Sequence, residues 1–429
     1  MTLRLPDWLD HANARFATAY PGLSGRRQPV HVVYGGAQLF KADTCRKLGR
    51  LAQSAFAEHA PNADAMANLL GIPERIAGAV HNRVARKLAS EAVEDYRIDF
   101  EDGFGYRSNE EEDAAAVSSA RETAIAMKED LLPPFFGIRI KPLTEESQER
   151  SIRTLGLYLD TLHKASGGKI PETFVVTLPK ITVPEQVRAL VKLLDGFGGM
   201  RMEAMIETPQ ALRSIPALMK AADSSCSALH FGPYDYTASL GITGASQHLM
   251  HPACDFARCL MQVDAAGLDV NLSDGPTNIL PVAIHRGTNL TDEQQEENRR
   301  AVHEAWKLHY KHVRHALECG YYQGWDLHPA QLPVRYAAVY TFFLEGMDAS
   351  ALRLRNFMAQ TAQATLAGSV FDDAATGQGL LNHFLRAVYS GALEEEDVEG
   401  LSGLSMEELR TGSFARIIEA RRSKLEIRT

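Results

Sequence analysis

Along the chain, short runs of β-branched, aromatic and aliphatic residues alternate with longer stretches whose apolar positions recur every three to four residues. Eight short runs predict strands, at residues 30–34, 96–102, 135–142, 173–180, 200–208, 228–234, 268–273 and 321–328. Stretches of helical period fall at 109–128, 145–163, 183–194, 209–222, 252–266 and 294–319. Strands alternating with helices give parallel βαβ units, and eight of them predict an α/β fold, a closed (β/α)₈ TIM barrel, over 30–345. A short helical lead-in is expected at 1–29. Beyond about residue 346 the alternation stops, so 346–429 is expected to be a C-terminal helical lid or oligomerisation segment. Residues 275–289 are long for a βα loop and carry Pro276, Pro281 and Gly287.

Composition narrows the class of partner. The chain of 429 residues is 45% hydrophobic and 23% charged, ordinary for a globular protein that buries a large core. A formal net charge of -9 argues against nucleic acid or an anionic membrane surface as partner. No apolar stretch approaches the roughly 20 residues of a membrane span. The opening MTLRLPDWLDH has no apolar signal region, and the five cysteines (45, 226, 254, 259 and 319) include no CxxC pair. A cytoplasmic protein with reduced thiols is expected.

The chemistry lies in charge placed on apolar strands. A barrel's active site forms at the C-terminal strand ends, and three predicted strands end there in acids. Asp99 and Glu101 stand two apart, hence on one face; Glu207 closes the run 202–207; Asp235 follows Gly232 and Pro233. A single such acid is most simply a helix cap or a surface ion pair. Acids at three strand ends predict a cation site, and an all-oxygen donor set suits Mg²⁺, or Mn²⁺ in its place. Two further strands end in cations. Arg139 is placed to grip a carboxylate in bidentate fashion, with Lys141 on the same face. Lys180, among acids, is expected first as an ion pair, next as a substrate contact and last as a Schiff base. Glu203 should point into the barrel and pair with a base there, and His328 should hydrogen-bond at the barrel floor or rim rather than take part in catalysis.

Other motifs carry less. His248, His251, Cys254 and Cys259 fit no familiar zinc spacing. Gly103-Phe-Gly105 and the glycines at 196–199 do not form a dinucleotide loop, and no G-x-S-x-G elbow or Walker loop is present.

Read together, these segments resemble the citrate lyase β-subunit-like branch of the HpcH/HpaI aldolase superfamily, which includes malyl-CoA lyases. The likeness runs over most of residues 30–385. Its marks, in order, are Asp99-Phe-Glu-Asp-Gly103, Ser119-Ala-Arg121, Gly137-Ile-Arg139-Ile140, Leu178-Pro-Lys180, Ile206-Glu207-Thr208, Phe231-Gly232-Pro233-Tyr234-Asp235 and His328-Pro-Ala-Gln331. The resemblance implies Glu207 and Asp235 as metal ligands, with Asp99, Glu101 and Asp102 in or near their surroundings. It also implies Arg139 on the substrate carboxylate or enolate oxygen, and Gly232, Pro233 and Lys180 along the substrate. In the tail, Val370-Phe-Asp372-Asp373-Ala374 is similar to a lid element whose aspartate serves a neighbouring subunit's site. That aspartate matches Asp372, with Asp373 the alternative because Ala374 replaces a proline. A homo-oligomer, trimer or hexamer, with the lid acting in trans is therefore expected. Two departures bear on coenzyme A: Tyr34-Gly35-Gly36 stands where the family has a P-G-x-x loop, and Lys141 where many members have Asn.

The expected activity is a Mg²⁺-dependent carbon–carbon lyase or aldolase on a 2-oxo or 2-hydroxy carboxylic acid. The alternatives are a lyase, Claisen-type synthase or thioesterase acting on a coenzyme A thioester, and a non-catalytic regulatory barrel.

Overall fold

The structure, a computed structural model, describes residues 5–22, 24–359, 365–367, 370–372 and 374–426. Eight strands form the centre: β1 (His31–Gly36), β2 (Asp95–Asp99), β3 (Phe135–Arg139), β4 (Phe174–Leu178), β5 (Arg201–Ile206), β6 (Cys226–Phe231), β7 (Asn271–Pro276) and β8 (Gln323–Asp326). Each pairs in parallel with the next, and β8 returns to β1 through Val32↔Trp325, closing the barrel. The (β/α)₈ architecture expected from the alternation is thus the one observed.

Strand periodicity explains the packing. In Asp-Tyr-Arg-Ile-Asp of β2, Tyr96 and Ile98 face outward beneath the helices while Asp95, Arg97 and Asp99 face the lumen. Ile98, Ile138, Val176, Ala204 and Leu229 are fully or almost fully buried, and they supply the apolar layer between sheet and helices. A barrel lumen is usually filled with branched aliphatic layers. Here Arg97 fills it, paired with Asp95 and, at 2.7 Å, with Glu203 Oε1. Thr177 donates to Glu203 at 2.9 Å and His230 lies 3.4 Å from the same carboxylate. The inward, base-paired placement expected of Glu203 is therefore found.

Several elements differ from the pattern reading. The β1–β2 connection, read as unassigned, holds three helices: Thr44–His59, Ala63–Leu70 and Glu74–Ser90. The helix expected at 209–222 is broken into Pro209–Arg213 and Ile215–Ala222, because Pro216 enters in the first turn of the second piece. Strands expected to run to 102 and 180 stop at Asp99 and Leu178, so the charged residues beyond them sit on turns.

The last barrel helix, Leu332–Glu345, is followed by Met347–Ala359, Ala374–Tyr389, Glu395–Ser402, Met406–Arg410 and Phe414–Glu426. The tail is not wholly helical: β9 (Thr365–Ala367) and β10 (Val370–Asp372) form an antiparallel hairpin. Its described helices lie at the N-terminal strand ends of their own barrel. Leu381 and Phe384 are fully buried, His383 packs edge-on to Phe343, and Arg386 donates to Gln28 just before β1. At the other end of the chain, the helix Asp7–Ala19 buries none of its residues.

Candidate active site

At the C-terminal mouth, the turns after β2, β4, β5 and β6 converge. Arg139, at the end of β3, donates from Nε to Asp99 Oδ1 (2.7 Å) and from Nη2 to Asp99 Oδ2 (2.6 Å). Its third nitrogen, Nη1, is 3.1 Å from Glu101 Oε2. Asp99 also accepts the backbone N–H groups of Glu101 (3.0 Å) and Gly103 (2.8 Å), so the turn after β2 is wrapped around its carboxylate. Burial alone would raise Asp99, but Arg139 and these donors outweigh it and hold its carboxyl below the usual range. Two neighbouring aromatic rings lie against the guanidinium, with centroids 4.9 Å (Tyr34) and 5.3 Å (Trp325) away.

Glu207 stands one residue beyond β5 and is almost fully buried. Its Oε1 accepts the backbone N–H of Lys180 at 2.6 Å. Lys180 adopts φ 49°, a left-handed conformation that costs a side-chain-bearing residue about 1 kcal/mol. The strained turn therefore aims a peptide N–H at Glu207. Gly232 makes room on the other side: a Cβ there would lie 2.4 Å from Glu207 Cβ and 2.6 Å from Oε2. Burial pushes the Glu207 carboxyl up to about 7; Lys180 and Arg139 oppose this, and Asp235 and Glu101 add to it. Asp235 lies in the first turn of the helix Pro233–Ser239 with its carboxylate 42% exposed, within reach of solvent. Pro233 is buried, and the lack of a side chain at Gly275 in β7 leaves room for its ring.

Lys180 joins the acids. Its Nζ pairs with Glu101, lies 3.2 Å from Asp102 Oδ1 and 3.7 Å from Asp235 Oδ1. Desolvation would lower the ammonium pKa, but Glu207, Glu101 and Asp102 raise it well above the usual lysine value. These contacts give the ion-pair role expected first, and the surrounding acids favour the ammonium over the free amine that a Schiff base requires. Lys141 does not join the group: its Nζ donates to Phe100 O (2.7 Å) and pairs with buried Glu112 at 3.0 Å.

The mouth thus brings together Asp99, Glu101, Asp102, Arg139, Lys180, Glu207 and Asp235, with Gly232 and Pro233 supporting them. Asp372 ends β10 in the tail, and Asp373 lies outside the described residues. Tyr34 and Trp325 were missed by the sequence reading. Their only signal was position, at inward sites of strands one and eight.

Among the described residues, the metal-capable trio with ligand atoms within 4.8 Å of one another is Asp255, His315 and Cys319. There Arg258 donates to Asp255 at 2.7 Å and supplies the positive charge itself. The sequence-local His248, His251, Cys254 and Cys259 do not form a metal-binding group: His251 caps its helix and Cys259 is exposed. His328 Nδ1 accepts the N–H of Ala330 at 3.2 Å, a rim contact as expected.

The fold and site define a parallel eight-stranded barrel with a carboxylate- and arginine-lined C-terminal mouth. The chain belongs to the family described as DUF6986, a domain of unknown function, whose model matches residues 9–417. No curated protein matches it. Among solved structures it is similar to a citrate lyase from Burkholderia xenovorans LB400, at 17% identity and TM-score 0.55, over 87% of this chain and 96% of that one. Further similarities are to CitE from Mycobacterium tuberculosis in complex with magnesium, acetoacetate and coenzyme A (15% identity, TM-score 0.48, 85% and 99% covered) and to Haloferax volcanii malate synthase (14%, 0.44, 89% and 98%). The first of these likenesses shows the barrel fold. No described helix is long and apolar enough to cross a membrane.

Proposed function

We propose that this protein is a Mg²⁺-dependent carbon–carbon lyase of the citrate lyase-like branch, acting on a small 2-oxo or 2-hydroxy carboxylic acid. The observation that carries the reading is Glu207. This buried carboxylate is left by its surroundings with too little positive charge, near the solvent-reaching carboxylate of Asp235 and within electrostatic reach of the Arg139 guanidinium. The donor set fits Mg²⁺, which takes one or two carboxylates and completes its shell with water and substrate. When bound, the ion supplies Lewis-acid polarisation of the substrate carbonyl.

The chain's own residues do the rest. Glu207 and Asp235 hold the ion, and Gly232 and the Lys180 peptide N–H fix Glu207 in place. Arg139, anchored by Asp99 and stacked on Tyr34 and Trp325, offers fixed positive charge to the substrate carboxylate or to the enolate left when the C–C bond breaks. A donor fixed in advance in a desolvated site needs no reorganisation during the reaction. Lys180 neutralises Glu101 and Asp102 at the edge of the mouth. Asp372, from the tail of a neighbouring subunit of a homo-oligomer, moves the proton. The B. xenovorans barrel carries the name citrate lyase, and the proposed reaction is of that type.

Proton exchange tests this without knowledge of the substrate. The protein should exchange the methyl protons of pyruvate for deuterium in D₂O, with a divalent cation required and EDTA stopping the reaction. Borohydride treatment with pyruvate should leave it active, since Lys180 forms no imine. EDTA-resistant exchange together with a trapped lysine adduct would overturn the mechanism. Exchange confined to acetyl-CoA would move the substrate to the thioester class. Absence of exchange with every acid and thioester would leave a non-catalytic barrel.

A further inference from the structure

A cavity of about 920 Å³ lies at the opposite end of the barrel from Glu207. The N-terminal ends of the strands form its floor, and the helix Ala374–Tyr389 with residues 411–413 and Arg416 forms part of its wall. The cavity is rich in arginine, and most of that charge is matched. Arg26 pairs with Asp269 at 2.6 Å, Arg27 with Glu91 and Glu94, and Arg97 with Asp95 and Glu203.

Arg416 on the wall is exposed to solvent; of the more buried arginines, two are not matched. Arg201, at the start of β5, donates to the Cys226 carbonyl at 3.0 Å, and Arg386 donates to the Gln28 side-chain oxygen and lies 4.8 Å from the Tyr322 ring. Neither has a carboxylate partner among the described residues. Their electrostatics differ accordingly from those of the paired arginines: burial lowers both, whereas neighbouring acids raise Arg97. A protein gains nothing in stability by desolvating a cation without a counter-charge. Unlike a packing defect, this one faces a space large enough for a ligand. Phe135, Tyr322 and Tyr389 line the same space, with the Tyr322 ring against the Arg386 guanidinium.

We propose that this lower cavity binds a small organic oxyanion, a carboxylate or phosphate ester with an apolar or aromatic body, through Arg201 and Arg386. The site is separate from the catalytic mouth, so its occupant is not the substrate. It also stands independently of the reaction proposed for that mouth.

Thermal unfolding of the full chain with benzoate or phenyl phosphate tests the site. At tenfold excess over its dissociation constant, at least one of the two should raise Tm by on the order of 2 °C. A response to one alone assigns the source as carboxylate or phosphate. Arg386→Gln and Arg201→Gln should each abolish the rise, and Glu207→Gln at the distant mouth should keep it. Without ligand, Arg386→Gln should melt at or above the wild-type temperature, because an uncompensated buried charge has been removed. The proposal is overturned if neither oxyanion shifts Tm, if the shift survives both arginine substitutions or disappears in Glu207→Gln, or if unliganded Arg386→Gln melts well below wild type.

Discussion

Arg139 and Asp99 sit directly opposite one another on adjacent parallel strands and meet through two hydrogen bonds of 2.7 and 2.6 Å, both side chains almost fully buried. This geometry fixes the guanidinium plane at the mouth while leaving Nη1 directed toward Glu101. Asp99→Ala should destabilise the protein by about 3–5 kcal/mol in urea unfolding, since it strands a buried cation. The double substitution Arg139→Met with Asp99→Leu should recover most of that stability yet remain inactive in proton exchange. An active double variant would reduce the pair to a structural role.

The space around Glu207 predicts an unusual sensitivity. Gly232→Ala adds one methyl where 2.4–2.6 Å is available, so the carboxylate must move. Mg²⁺ affinity measured by calorimetry should fall at least tenfold in Gly232→Ala and be lost in Glu207→Gln and Asp235→Asn, with circular dichroism unchanged. Wild-type affinity in either carboxylate variant would remove that residue from the metal site.

For the tail, Asp372→Ala should lower turnover on the order of 10²-fold while Mg²⁺ binding survives, as loss of a positioned acid or base does. If Asp373→Ala is the inactive one instead, the proton carrier is shifted by one residue. Full activity in both would remove the tail from the chemistry. Mixing Asp372→Ala with an Arg139→Ala chain tests the arrangement across subunits, because complementary sites should restore activity.

A fourth prediction concerns pH. His31 is fully buried and its Nε2 accepts the Glu94 N–H at 3.1 Å, which requires the neutral ring. Burial pushes it down to about 4. Because the folded value lies below the unfolded one of about 6.5, the unfolded chain binds the proton first. Stability from this group is complete above pH 6.5 and is lost as pH falls toward 4, by about 3 kcal/mol at most. His31→Gln should flatten the pH dependence of the urea midpoint across that window. An unchanged slope would mean that the ring is not the titrating group.

The barrel was legible in the sequence because residues such as Ile98, Ile138 and Val176 alternate with lumen-facing ones at a strict period of two. The mouth acids were legible because charge at the end of an apolar run has few structural explanations. The helices between β1 and β2 were not. In Thr44–His59 the buried positions are Gly49, Ala52 and Phe56, and two of those three are too small to mark a face. Lys141 shares strand parity with Arg139, yet its long stem reaches Glu112 on a helix that no local pattern connects to it. Asp255, His315 and Cys319 meet across some sixty residues of chain, beyond any spacing motif. The tail's hairpin was likewise hidden, since its strands are three residues each.

The placement of the helix Ala374–Tyr389 against the barrel's lower rim bears on how this protein can be cut. Phe343 on the last barrel helix and Phe357 just beyond it are buried together with Leu381 and Phe384 from the tail. A gene shortened at codon 346 would leave the lower rim of the barrel bare, with Phe343 uncovered and the Arg97–Glu203 pair nearer to water. Domain-swapping designs that borrow the barrel should therefore take the last eighty residues with it. The family match from 9 to 417 runs across that junction without a break, as expected if the two parts were inherited as one piece.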